Sequence, residues 1–360
     1  MNISSPVTDP VTPLAAAPAI LVAANLLLPP LERGQSVNTA VLRSAMETAF
    51  GASDASGAWD WKLAYEAGEV ATVLFLRKYG KALFRKAGSP VSRLDALTKI
   101  AGLLPTQTRR SEESQSFQQF STPLPLGLAA LAAAAITPDD VVLEPSAGTG
   151  LMAILAQTAG CSLILNELAE TRADLLSSLF PACPVIRVDA AQIDDHLATD
   201  VIPSVVLMNP PFSVMANVEG RMADAAWRHV ASALARLTPG GRLVTITGAN
   251  FGPEAPAWRD AFIRLQDRGR VVFTAAIDGA VFARHGTRID TRLTVIDKLP
   301  ADDPSVFPAS KGIAPNVATL IGWIESQLPP RLPVSLPKVA SPVPAAAPKT
   351  VRGYLARATA

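Results

Sequence analysis

Residues 141–150, Val-Val-Leu-Glu-Pro-Ser-Ala-Gly-Thr-Gly, restrict what this chain can fold into more than any other stretch. Three consecutive branched apolar residues read as a strand buried on both faces, and the run stops at a carboxylate. Gly148 and Gly150 then allow turn conformations closed to residues with a Cβ. Residues 151–159 carry helical periodicity. A strand, a glycine turn and a helix form the first half of a βαβ unit, whose ligands sit in the crevice at the carboxyl ends of the strands. The pocket is therefore of nucleotide type. The acid precedes the glycines and the loop is not Gly-x-Gly-x-x-Gly, which favours a ligand without a pyrophosphate.

Three later stretches repeat the strand-then-polar pattern. Residues 163–167, Leu-Ile-Leu-Asn-Glu, are a second buried strand, with Glu167 placed 23 positions after Glu144. That is near the ~20-residue offset at which a ribose-binding carboxylate follows a nucleotide loop. Residues 185–189, Val-Ile-Arg-Val-Asp, form a third strand ending at Asp189. Either acid could serve only as a helix N-cap; their recurrence along one sheet edge favours a pocket. Residues 205–212, Val-Val-Leu-Met-Asn-Pro-Pro-Phe, are the most chemically specific. A strand delivers Asn209, Pro210 and Pro211 fix the turn and remove backbone donors, and Phe212 follows at once. An exocyclic amine needs acceptors that orient its hydrogens and a flat surface for its ring. The Asn209 side-chain oxygen and the Pro210 carbonyl suit the first need, and Phe212 the second.

The loop Glu144-Pro145-Ser146-Ala147-Gly148-Thr149-Gly150 resembles the S-adenosylmethionine loop of class I methyltransferases, where close backbone approach accommodates the amino-acid part of the cofactor. That resemblance implies roles for Glu144, Pro145, Ser146, Gly148 and Gly150 in cofactor binding, with Glu167 on the ribose and Asp189 on the adenine amino group. Asn-Pro-Pro-Phe after such a loop resembles the amino-methyltransferases that modify adenine N6 in DNA. Upstream, Thr122-Pro123 before a helical stretch at 124–136 looks like the segment that folds over the methionine end of the cofactor in these enzymes. Ser121 or Thr122 could equally be an N-cap followed by Pro at the first helical position. The order of segment, cofactor loop and catalytic loop fits the gamma class.

The 360 residues suffice for a full core and about two domains. A content of 49% hydrophobic and 18% charged residues reads as soluble and globular, and a net charge of +1 gives no global case for nucleic acid. Two cysteines, Cys161 and Cys183, build no disulfide framework, and no Cys/His spacing suits a metal. A cytoplasmic, metal-free protein is expected. Residues 1–35 are an Ala/Pro-rich arm whose apolar part, broken by Pro18 and Asn25, is too short for a membrane span. No Lys or Arg precedes it, as a secretory signal would require; a partly ordered arm packed on the next domain is expected.

Residues 36–104 carry helical periodicity and predict a small helical domain, its central helix opening at Trp59-Asp60-Trp61-Lys62. Residues 105–116 read as a linker, 117–300 as the catalytic domain, 301–328 as a tail with one helix, and 329–360 as Pro/Ala-rich linker composition. Arg77, Lys81 and Arg85 fall four apart on one helix face and could grip phosphates, although such a run is more often a solvated face. Strands are expected at 242–247, 270–276 and 292–297. Between the last two, Phe282, His285 and Thr287 lie in a loop that could touch substrate. Methylation of an amine needs no base, so a surface role for His285 is the simpler reading.

Taken together, Trp59-Asp60-Trp61-Lys62, Gln118-Gln119-Phe120-Ser121-Thr122-Pro123, the Glu144 loop, Asn209-Pro210-Pro211-Phe212 and His285-Gly286-Thr287 resemble the N-terminal methylase region of bacterial strawberry notch-like proteins, across about residues 37–300. The resemblance implies an α/β class I, Rossmann-like methyltransferase with a seven-stranded, mostly parallel sheet ending in an antiparallel edge hairpin, plus the small helical domain. It implies S-adenosylmethionine as cofactor, nucleic acid as partner with DNA favoured over RNA, and a helicase domain or subunit working alongside. The expected activity is methylation of adenine N6 in DNA. RNA adenine and a protein glutamine amide remain open as substrates, as does a methylase-like binding module of a helicase or defence complex that turns over little.

Overall fold

A computed structural model describes residues 15–108, 121–211 and 225–334. Four helices open the chain: α1 (Ala16–Glu32), α2 (Thr39–Phe50), α3 (Trp61–Lys86) and α4 (Pro90–Gly102). Asp60 caps α3 by accepting from the Leu63 N–H at 2.9 Å. Residues 16–32, expected within a partly ordered arm, are a helix because Ala17, Ile20, Ala23, Ala24, Leu27 and Leu31 recur on one face and bury against α3. Among the described residues, no helix is long and apolar enough to cross a membrane.

The α/β part runs α5 (Leu124–Ala134), β1 (Val141–Glu144), α6 (Leu151–Thr158), β2 (Ser162–Asn166), α7 (Glu170–Leu179), β3 (Val185–Ile186), α8 (Ile193–His196), β4 (Val205–Met208), α9 (Ala225–Arg236), β5 (Arg242–Gly248), α10 (Pro256–Leu265), β6 (Arg270–Ile277), β7 (Thr291–Asp297), β8 (Ile313–Ala314) and α11 (Val317–Gln327). The strands form one sheet in the order β3-β2-β1-β4-β5-β7-β6-β8. β3, β2, β1, β4 and β5 are mutually parallel, and β7 runs antiparallel between β5 and β6. The arrangement is the expected Rossmann-like α/β fold, with one difference. An eighth strand, β8, pairs parallel to β6, so the β6–β7 hairpin is not the sheet edge.

Alternate residues of each central strand feed two apolar layers, which is why these strands read as continuous apolar runs. Val142, Val205, Leu207, Val244 and Ile246 face the layer shared with α1, α3, α4, α5, α6 and α11. Leu143, Val206, Met208 and Leu243 face the layer beneath α9 and α10. The N-terminal helices therefore cover one face of the sheet through a continuous core and do not hang beside it.

Candidate active site

β1, β2 and β4 are parallel neighbours, so their carboxyl ends share one edge. Leu143 registers with Val206, which puts Asn209 two residues beyond the level of Glu144 on a strand about 5 Å away. Glu144 registers with Leu165, which puts Glu167 two residues beyond it on the other side. The turn after β1 is shaped by its glycines: Gly148 has φ +56° and Gly150 φ +88°. A Cβ on Gly150 would stand 2.6 Å from the Phe180 ring, whereas one on Gly148 would meet nothing within 4 Å among the described residues. Gly150 is thus fixed by packing as well as by its backbone, and Gly148 leaves open space into which a ligand can approach.

Glu144 is only 2% exposed, and its Oε2 has no hydrogen-bond partner among the described residues. Burial, followed by repulsion from Glu167, holds its carboxyl well above the usual carboxylate range. Glu167 accepts from the Gly148 N–H and the Ala169 N–H, each at 2.9 Å, and so shapes the turn itself. Asp189 accepts from the Ala191 N–H at 2.9 Å, while its side chain stays 55% exposed beside His229, whose Nε2 lies 4.0 Å away. Burial lowers the His229 pKa and Asp189 opposes that shift.

Asn209 donates from Nδ2 to Thr122 Oγ1 at 2.9 Å. This bond joins the segment before α5 to the Asn-Pro-Pro corner, two stretches 87 residues apart in sequence. Thr122 and Pro123 are buried, Pro210 is buried and Pro211 partly so. Pro145 offers its carbonyl to Asn166 Nδ2 at 2.8 Å. Phe212 lies outside the described residues, as do Gln118, Gln119 and Phe120.

The remaining expected contacts divide. His285 lines a cavity of about 470 Å³ together with Tyr65, Glu69, Gln107, Pro123 and Leu151, adjoining the site on its helical side. Thr287 accepts from the Ile289 N–H at 3.3 Å within its own loop. Phe282 is fully buried in the apolar core and presents no ring face to a base. Lys81 and Arg85 lie beside Ala135, Ile136 and Thr158 at the opposite, amino-terminal edge of the sheet. Lys81 is twelve residues beyond Glu69, about 18 Å along α3, and Arg77 stacks over the Phe180 ring at 5.3 Å. Lys81 and Arg85 are therefore away from this site, whereas Arg77 packs on the ring that underlies Gly150. Two helix carboxyl ends, those of α5 and α6, point at Lys81 and Arg85, which accounts for cations there without a ligand.

The residues that brace the site carry no local sequence signal. Asn166 is fully buried; its amide donates to the Pro145 and Val188 carbonyls at 2.8 and 3.0 Å and accepts from the Val188 N–H at 3.0 Å, fastening the β1 turn to the end of β3. Arg172 on α7 pairs with Glu66 on α3 at 2.7 Å. Burial pulls the Arg172 pKa down, but Glu66, Glu167 and Glu69 outweigh it and hold the guanidinium charged. A helical pattern rich in Ala hides such acids, because the sequence does not say which face of α3 meets the sheet edge.

No protein-family model matches the chain, and no curated protein does either. Among solved structures, it is similar to a protein from Listeria monocytogenes provisionally assigned as a class I S-adenosylmethionine-dependent methyltransferase, at 14% identity and a TM-score of 0.48, covering 87% of this chain and 99% of that one. It is similar to the M protein of the type I restriction enzyme EcoKI at 16% identity and a TM-score of 0.42, covering 79% and 68%. An rRNA methylase from Streptococcus thermophilus aligns at 16% identity and a TM-score of 0.36, covering 49% and 97%.

Proposed function

We propose that this chain is an S-adenosylmethionine-dependent methyltransferase acting on an exocyclic amine, with adenine N6 of DNA as the favoured target. The observation that carries the reading is the 2.9 Å bond from Asn209 to Thr122 at the sheet edge that also holds Glu144 and the open glycine turn. Donor and acceptor corners are neighbours on one rim.

The residues present fit the cofactor. One oxygen of buried Glu144 meets no hydrogen-bond donor among the described residues, and the ammonium of a methionine moiety would supply one. Glu167 has two of its roughly four acceptor positions committed to the turn, leaving the rest for ribose hydroxyls. Asp189 keeps an exposed carboxylate for an adenine amine, and Leu168, 60% exposed at the end of β2, offers apolar surface to the ring. When bound, the cofactor supplies a methyl group on a sulfonium.

The chain's own part is orientation. With Nδ2 committed to Thr122, the Asn209 amide turns its oxygen toward accepting, and that oxygen with the Pro210 carbonyl holds the amine hydrogens so that the nitrogen lone pair faces the methyl donor. The product nitrogen sheds its proton to water, so no side-chain base is required. The Asn-Pro-Pro-Phe spelling supports adenine; the strawberry notch resemblance, with its helicase, rests on the sequence motifs.

Calorimetry with S-adenosylmethionine, followed by mass spectrometry of nucleosides from treated DNA, tests the reading. Micromolar binding and N6-methyladenine are expected, with Asn209→Ala lowering turnover about 10²-fold while retaining cofactor binding. Binding without transfer to DNA, RNA or protein would leave only a binding module.

A further inference from the structure

The cofactor turn has a support that lies outside the α/β part. Glu69, on α3 and 5% exposed, accepts three side-chain hydrogen bonds: from Thr149 Oγ1 at 2.7 Å, from Ser121 Oγ at 2.8 Å and from Gln107 Nε2 at 3.0 Å. Thr149 sits between the two glycines of the turn and is itself buried. Ser121 immediately precedes Thr122, the acceptor for Asn209. Gln107 is held in turn by its backbone N–H, which donates to the Arg284 carbonyl at 2.8 Å. One carboxylate therefore fastens the turn that faces the cofactor to the segment that orients the catalytic amide.

We propose that Glu69 is a positioning residue for methyl transfer, which makes the N-terminal helical region an integral part of the cofactor site. This rests on the reading of the site given above. Oε2 receives both Thr149 and Ser121, so the spacing between the turn and the Ser121-Thr122 segment is set by a single atom. Carboxylate acceptors make shorter and stronger bonds than neutral ones, and a buried acceptor with three donors leaves each donor unsatisfied when it is removed. Glu66, one turn position earlier on α3, does a separate job through Arg172.

The chemistry predicts a graded series. Glu69→Gln keeps an oxygen for Thr149 and Ser121, while Gln107 can reverse its amide to accept from the new one. Glu69→Leu removes every acceptor. Thr149→Val is close to isosteric and removes one donor.

The experiment measures cofactor affinity by calorimetry, steady-state kcat and KM on DNA, and melting temperature for the three variants and for the Glu69→Leu/Thr149→Val pair. Expected are a loss of affinity of about tenfold or more in Glu69→Leu and in Thr149→Val, a fall in kcat beyond the change in KM in Glu69→Leu, and substantial rescue in Glu69→Gln. The double variant is expected to lose less than the product of its two single losses. Variants whose melting temperature falls while affinity and kcat stay within twofold of the wild type would overturn the inference, as would independent, multiplicative losses in the pair. Should Glu69→Leu fail to fold, Thr149→Val still decides, by its cofactor affinity at an unchanged melting temperature. A wild type that binds no S-adenosylmethionine defeats the function proposed for the site; a wild type that binds it and is matched by Thr149→Val defeats only the role given to Glu69.

Discussion

Glu144 carries a cost that its position alone explains. Burial and the neighbouring Glu167 raise its pKa in the folded chain, so the folded state holds this proton more tightly than the unfolded one. Stability contributed by this group consequently falls as pH rises from the ordinary carboxylate value, about 4, through the folded value. Glu144→Gln removes that loss. The ligand-free variant is expected to melt above the wild type at neutral pH, with the gap closing toward about pH 4, while its affinity for S-adenosylmethionine drops about tenfold or more, since a charged hydrogen bond contributes ~1.5–3 kcal/mol. Thermal melts across pH, paired with calorimetry, check both halves. A variant that melts no higher than the wild type at any pH would mean the buried acid is not strained. Glu144 was legible in sequence as the residue ending a strand before glycines. Its unsatisfied oxygen was not, because that depends on which donors surround it after folding.

At the level of elements, Arg242 and Asp297 show what strand pairing decides. β5 and β7 are antiparallel with Arg242 opposite Asp297, and the guanidinium clasps the carboxylate at 2.7 and 2.9 Å. It also donates to the Ala133 and Pro329 carbonyls, and its side chain is 1% exposed. Removing one member strands the other's charge in the core, at a cost of about 3–5 kcal/mol. Arg242→Met is therefore expected to lose that much in urea unfolding at unchanged slope, and Arg242→Met/Asp297→Leu to recover most of it. Equal losses in the single and double variants would refute the pairing account. Both residues were legible only as the ends of two strands. That they face each other follows from β7 inserting between β5 and β6, and β8, two residues long, is too short to show alternation at all.

Over the whole molecule, one apolar layer runs from Ala17 of α1 through α3, α4 and α5 to the sheet and on to Ile324 of α11. A shared core couples the helical region to the sheet, so we expect a single calorimetric unfolding transition; two separated transitions would show that residues 36–104 fold as an independent domain. The parts settled by sequence are those governed by short-range patterning: apolar runs that must be buried strands, glycines where φ is positive, and prolines that stiffen a corner. From these the sheet, its carboxyl edge and the Glu144 and Asn209 corners followed. The parts settled only by tertiary structure are contacts between segments distant in the chain: α3 laid across the sheet edge so that Glu69 meets Thr149, Phe282 turned into the core, and Lys81 and Arg85 carried to the far edge. Local sequence fixes what a residue can do, whereas its neighbours are chosen by the packing of whole elements, which no single stretch encodes.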